Sequence, residues 1–373
     1  LFRALYMDLG AERSSRLLLA AHHLIVDGVS WRVLLEDLQS AYAQARESQT
    51  ITLPPKTASY QRWANALAEY AESEVVAANA AYWLDGIWKQ AALLPLDFPD
   101  GENTEASARV HLVFLDPEEN RTLLQDISRA YRTQINELLL TALADTLTAW
   151  TGSPVISVSI EGHGRDALPD GPDCSRTVGW FTSAYPVLLK TLPGASLGER
   201  IKSIKEQFRR IPGHGAPYGI LRYLRNESTY RDALASIAEP NVAFNYLGQF
   251  DAPQMSLANE SSGPMHDPRN RRTHAIVMNA MMLNGRLGLE WSYSENLHRT
   301  ETVTQWAKYY MDALRGIIAH CQDPATGGCT PSDFPHARLD MKQLDRLLAR
   351  LDSVAGPRDI EDIYPLSPMQ EGM

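Results

Sequence analysis

The sequence predicts an α/β protein. Segments with helical spacing alternate with short apolar runs along most of the chain. The 373 residues are 44% apolar, enough to bury a large core organised as two domains or lobes. A stretch bearing proline and glycine, residues 95–101, divides the two as a linker.

In chain order, residues 17–21 are strongly apolar and read as a buried strand. The chain then turns at Asp27-Gly28, and Ser30 is placed to cap a helix whose apolar positions Leu34, Leu35, Leu38 and Tyr42 recur at helical spacing. Residues 57–84, rich in alanine and aromatics, read as helices closing the first lobe. Beyond the linker come a strand at 110–115, helices at 117–131 and 135–150, and a strand at 155–160. Further strands are expected near Val187, Val242, Ala275 and Leu287, then a helix over 300–321 and a charged helix over 341–351. A flexible Ser-Val-Ala-Gly-Pro stretch follows, and the chain ends in DIYPLSPMQEGM.

Composition excludes several classes of function. A formal net charge of −10 argues against nucleic acid or an anionic membrane as partner, because either favours a basic face. Cys174, Cys321 and Cys329 form no CxxC pair and read as reduced thiols of a cytoplasmic protein, not as a disulfide frame or zinc site. No secretory signal or bilayer-length apolar run is present.

The residue patterns that carry chemistry are few. His22 and His23 open the run HHLIVDGVSW at the end of the first strand, where alternation sends the two imidazoles to opposite faces, so one works and the other holds the loop. In VISVSIEGHGR, alternation places Ser157, Ser159 and Glu161 on one face and Ile156, Val158 and Ile160 on the other. Glu161 thus ends a polar, water-facing stripe, and Gly162 and Gly164 let the chain turn sharply beside it. Asp27 can hold its loop by pairing with Arg165. Tyr246 is either a hydrogen-bond donor to a reacting group or core, with Asn245 facing the other way. No metal site is expected, since the adjacent histidines diverge and the others lack paired spacing. No GxSxG elbow, P-loop or GxGxxG follows a strand, so no nucleotide or nicotinamide is implied.

The pattern HHxxxDG, read with EGHGRD (161–166), RTVGWFTSAYP (176–186), PGHGAPYG (212–219) and FNYLGQ (244–249), resembles the condensation-domain superfamily of nonribosomal peptide synthetases, and within it the epimerization domains. One departure is Pro217, where the family has a second glycine. The resemblance implies two chloramphenicol-acetyltransferase-like α/β lobes with an active-site tunnel between them. It implies residues 1–90 as the later part of the N-terminal lobe, 91–340 as the C-terminal lobe, and 341–373 as a linker and the start of a downstream condensation domain. The N-terminal lobe reads as truncated, because an early PIQxWF-like motif is absent. Implied roles are His23, Glu161 and Tyr246 as catalytic residues, with His22, Asp27, Arg165 and Asn245 in support and Trp31, Trp180, Phe181 and Tyr185 as tunnel wall. The implied reaction is inversion at Cα of an L-aminoacyl or peptidyl thioester: the α-proton is removed, the enolate stabilised, and a proton returned to the opposite face. No cofactor of its own is implied. The substrate arrives on the 4'-phosphopantetheine arm of an upstream peptidyl carrier domain, and a downstream condensation domain and module are the other partners. Two alternatives compete, a condensation domain forming amide bonds and an inert carrier-protein docking module.

Overall fold

The computed structural model of the chain describes residues 1–125, 127–249, 258, 260–283, 285–351 and 360–366. The Ser-Val-Ala-Gly-Pro stretch and the final seven residues of the tail lie outside the described residues.

Strands β1 (Phe2–Met7) and β2 (Arg16–Ala21) pair antiparallel, Phe2 opposite Ala21 and Met7 opposite Arg16. A single 3-10 turn leads into helix α1 (Gly28–Arg46), followed by α2 (Tyr60–Ala71) and α3 (Glu74–Trp83). Next come β3 (Ala108–Phe114), α4 (Pro117–Gln125), α5 (Ser128–Tyr131), α6 (Ile135–Thr151), β4 (Val155–Gly162) and β5 (Ser183–Lys190). The remainder is α7 (Leu197–Arg209), α8 (Ala216–Gly219), α9 (Ser228–Ala235), β6 (Val242–Gln249), β7 (Ile276–Leu283), β8 (Arg286–Ser294), α10 (Thr300–Gln322) and α11 (Met341–Leu351). Strands β3 to β8 form one six-stranded mixed sheet in the order β3-β8-β7-β6-β4-β5. The β4–β6 and β6–β7 pairs are parallel and the others antiparallel.

The α/β architecture is thus the expected one, and its core follows from residue pattern. Ile156, Val158 and Ile160 of β4 turn to one face of the sheet, together with Tyr185, Val187 and Leu189 of β5, and join the main apolar cluster. Against that cluster lie α6, buried from Leu138 to Leu147 at every position but Asp145, and α10, which buries Val303, Ala307, Tyr310, Leu314 and Ile317 at helical spacing.

Several elements depart from expectation. The helix expected over 117–131 is two, and α5 stops at Arg132, a left-handed residue with φ 52°. Strand β1 and helix α7 add to the expected elements. A signal for α7 is present in the sequence, since Ser196 and Glu199 form a capping box and Ile201 and Ile204 supply its buried face. Helices α2 and α3 do not close the first lobe: Ala71, Val76, Ala80 and Trp83 join the core of the large sheet, and Trp83 Nε1 donates to the Pro186 carbonyl at 3.1 Å. Leu344 of α11 joins Cys329 and Phe334 in a separate small cluster. Among the described residues, no helix is long and apolar enough to cross a membrane.

Candidate active site

The site forms where the loop after β2 meets the end of β4. His22 is extended and caps the 3-10 turn His23–Ile25, its Nδ1 accepting from Leu24 N at 3.1 Å. The two histidines diverge because His23 begins that turn, not because both continue a strand. His22, expected to hold the loop, is exposed, since β2 pairs on one edge only and ends here. His23 is also reached by solvent, with its ring tilted against Trp180 at a centroid distance of 5.0 Å.

Asp27, rather than Ser30, caps α1: its side chain accepts from Ser30 N at 2.7 Å. Its carboxylate also receives a bidentate pair from Arg165, Nη1 to Oδ2 at 2.7 Å and Nη2 to Oδ1 at 3.1 Å, and the Phe181 amide at 3.2 Å. The two side chains are only 2% and 9% exposed. Burial pushes the Asp27 carboxyl up, but Arg165, Ser30 and the Phe181 amide outweigh it and hold it below the ordinary value. The Arg165 guanidinium lies 4.2 Å from the Phe181 ring centroid, and its Nη2 also donates to Thr177 O at 3.0 Å. Ser30, expected as the cap, is instead fully buried: its Oγ receives Gly179 N at 3.0 Å and stands 2.8 Å from Gly179 O. The DGVSW spacing carries that role only as helix geometry.

Glu161 lies at the end of β4 with Ser157 and Ser159 on its face, as alternation requires. The stripe is not water-facing along its length, because Ser157 and Ser159 are buried and only Glu161 emerges. Crowding by the surrounding protein holds its carboxyl above the ordinary range, and His23 is the neighbouring charge that pulls it back. Water still reaches the side chain, so solvent tempers the charge interaction. Gly164, at φ 66°, is required where it stands, since a Cβ would collide with the Phe181 carbonyl.

The FNYLGQ residues divide in a way that reverses one expectation. Phe244 is beside Ile160 in the β4–β6 register and belongs to the core, so Tyr246, two residues on, shares that face and packs against the core. Asn245 takes the opposite face, the one Glu161 occupies. Its Nδ2 donates to Asn279 Oδ1 at 3.1 Å, Asn279 Nδ2 donates to Glu290 Oε1 at 3.1 Å, and Asn245 Oδ1 is buried without a partner among the described residues. Tyr246 is thus not on the face of the sheet that carries Glu161.

Trp180, Phe181 and Tyr185 line a cavity of about 560 Å³, whereas Trp31 is half-buried on α1 and is not part of its wall. The PGHG segment bends through three consecutive left-handed residues, Gly213, His214 and Gly215, and Pro217 sits in the first turn of α8, where a proline is tolerated. No group of three potential metal ligands occurs among the described residues.

Held by the buried Asp27–Arg165 ion pair, segments far apart in sequence bring one carboxyl, Glu161, and one imidazole, His23, near enough to interact electrostatically. Such a pair can exchange protons with a bound carbon acid.

The family model for the condensation domain matches residues 1–339. The chain is 46% identical over 378 residues to one of the linear gramicidin synthase proteins of Brevibacillus parabrevis, and 42% identical over 381 residues to chondramide synthase of Chondromyces crocatus. All of the chain is covered in both, but it spans only 5% and 10% of the lengths of those relatives. Among solved structures it is similar to the epimerization domain from the third module of tyrocidine synthetase B, with TM-score 0.77 and 37% identity over 82% of this chain and 69% of that one. The first condensation domain of the calcium-dependent antibiotic synthetase shares the fold, with TM-score 0.62 and 17% identity over 88% of this chain and 68% of that one.

Proposed function

Because the chain belongs to the condensation-domain family, we propose that it is an epimerization domain of a nonribosomal peptide synthetase, interconverting L and D configurations at Cα of an aminoacyl or peptidyl thioester. The observation that carries this reading is the buried Asp27–Arg165 ion pair, which ties the loop of His23 to the turn that follows Glu161. Sequence likeness to an epimerization domain supports it.

One member of the pair takes the Cα proton and leaves the electron pair delocalised onto the thioester carbonyl. The other returns a proton from the opposite side, and the reverse reaction exchanges their roles, so an L/D mixture results. Asp27 and Arg165 position both partners: Asp27 fixes the His23 loop, and Arg165 follows Glu161 by four residues on the β4 turn. Asn245, on the Glu161 face, is buried and supports that face through its hydrogen bond to Asn279. The thioester is presented on the phosphopantetheine arm of an upstream carrier domain in a cytoplasmic multidomain synthetase, with a condensation domain downstream.

Deuterium wash-in at Cα of a loaded carrier protein in heavy water tests the proposal. Exchange is expected with the synthetase intact. An amide-forming condensation domain, or a module that only docks the carrier, gives none, and that result refutes the reading.

A further inference from the structure

Three polar side chains cross the large sheet in one row. Glu290 of β8, Asn279 of β7 and Asn245 of β6 are register neighbours. Asn279 Nδ2 donates to Glu290 Oε1 at 3.1 Å, and Asn245 Nδ2 donates to Asn279 Oδ1 at 3.1 Å. Ser159 and Ile160 of β4 lie beside Ala243 and Phe244 of β6, so the next pair in that register is Glu161 and Asn245. The row therefore runs from Glu290 to the side of Glu161.

Glu290 sets the polarity of the row. A carboxylate only accepts, so Asn279 must turn its Nδ2 to it, which leaves Asn279 Oδ1 for Asn245 and commits Asn245 Nδ2 toward β7. The Asn245 oxygen is thereby turned from β7 to the β4 side. It is buried, on a side chain 8% exposed, and has no hydrogen-bond partner among the described residues. A buried acceptor in a folded protein normally finds a donor. Ionised Glu161 offers only acceptor oxygens, whereas its acid form carries an O–H.

We propose that Glu290 and Asn279 are positioning residues, which through Asn245 hold an acceptor toward Glu161 and favour its carboxylic acid form, the form that delivers a proton to Cα. The inference rests on the epimerase reading and deepens it. In the step concerned, the Glu161 O–H bond breaks as the Cα–H bond forms, and the O–H electron pair stays on the carboxylate. The raised proton affinity of Glu161 agrees with this polarity. Among the other groups around it, His23 favours the ionised form, Asp27 and Arg165 neutralise one another, and His163 lies 3.7 Å from Asp166 on the turn after β4. Arg32 of α1 donates to the Leu247 carbonyl at 3.0 Å, and β5 places uncharged Ala184 opposite Glu161.

Deuterium wash-in at Cα of a loaded carrier protein, followed against pH in the intact synthetase, tests the inference. Exchange needs one proton shared between Glu161 and His23, so the profile is bell-shaped and its acidic limb follows the ionisation of Glu161. Glu290→Gln keeps the shape but ends the polarity, since an amide donates as well as accepts, and Asn279→Ser interrupts the row. In both variants the acidic limb is expected to move to lower pH by roughly 0.5–1 unit, the equivalent of one hydrogen bond. A role confined to holding the sheet together would lower the unfolding temperature and leave the limb in place. Either variant that folds decides the matter: an unmoved limb overturns the inference and leaves the epimerase reading standing. No exchange at any pH by the wild-type synthetase overturns both.

Discussion

At Glu161 two influences oppose each other: crowding by protein raises its proton affinity, and His23 lowers it. Replacing it by Gln removes one proton-transfer group while keeping shape. The expected outcome is a loss of α-proton exchange on the order of 100- to 10,000-fold with carrier binding retained, measured by wash-in and by carrier titration. Near-normal exchange refutes the assignment. The sign of the pH effect follows as well. Because the folded chain holds the Glu161 proton more tightly than the unfolded chain, ionising it costs stability as pH rises from the ordinary carboxylate value through the raised one. Thermal unfolding of wild type against Glu161→Gln should therefore shift in favour of Gln as pH rises above the ordinary carboxylate value. Asp27 behaves in the opposite sense. Its folded value is lowered, so its contribution is present above the ordinary value and is lost as pH falls through the folded one. At this scale the sequence is informative about His23, Glu161 and the Asp27–Arg165 pair, because each sits in a local motif. It is uninformative about Tyr246 and Asn245. Alternation shows that they part, but which of them faces Glu161 depends on the pairing of β6 with β4, a contact between segments about 80 residues apart in the sequence.

Helix α1 begins at a residue with two duties, since Asp27 both caps the helix and binds Arg165. Substitutions separate them. Asp27→Ala loses both, and leaving a buried guanidinium without its carboxylate costs roughly 3–5 kcal/mol. Asp27→Ser keeps a capping oxygen and should recover only about 1 kcal/mol of that, the typical value of a cap. Chemical denaturation of the two variants measures the difference, and full recovery by Ser would mean that the ion pair contributes nothing. Elements with strong periodicity, β4, α6 and α10, are legible in the sequence. Strand β1 is not, because its residues are mostly exposed and carry no clean alternation. The break between α4 and α5 is hidden because helical spacing continues across it.

For the molecule as a whole, the buried cluster around Asp333 joins the segment after α10 to α7. Lys205, fully buried, donates to both Asp333 oxygens at 2.7 and 2.6 Å, and Arg209 Nη1 donates to it at 3.0 Å while its Nε meets Glu137 at 2.6 Å. Asp333→Ala strands two cations, one of them sealed from water, and is expected to destabilise the fold by roughly 3–5 kcal/mol. Limited proteolysis should then cut first near residues 329–344, whose small cluster this carboxylate anchors. Protection equal to wild type would show that the cluster holds without it. The α/β class and the alternation of elements are legible from composition and period. The placement of α2 and α3 on the large sheet is not, because it depends on Val76, Ala80 and Trp83 meeting residues more than 100 positions away.

Asp27 and Arg165 are 138 residues apart in sequence. Closing a chain loop of that length costs about 4 kcal/mol by (3/2)RT ln n, close to what the ion pair stands to lose when broken. The pair thus ties the His23 loop to the turn after Glu161 across a long stretch of chain.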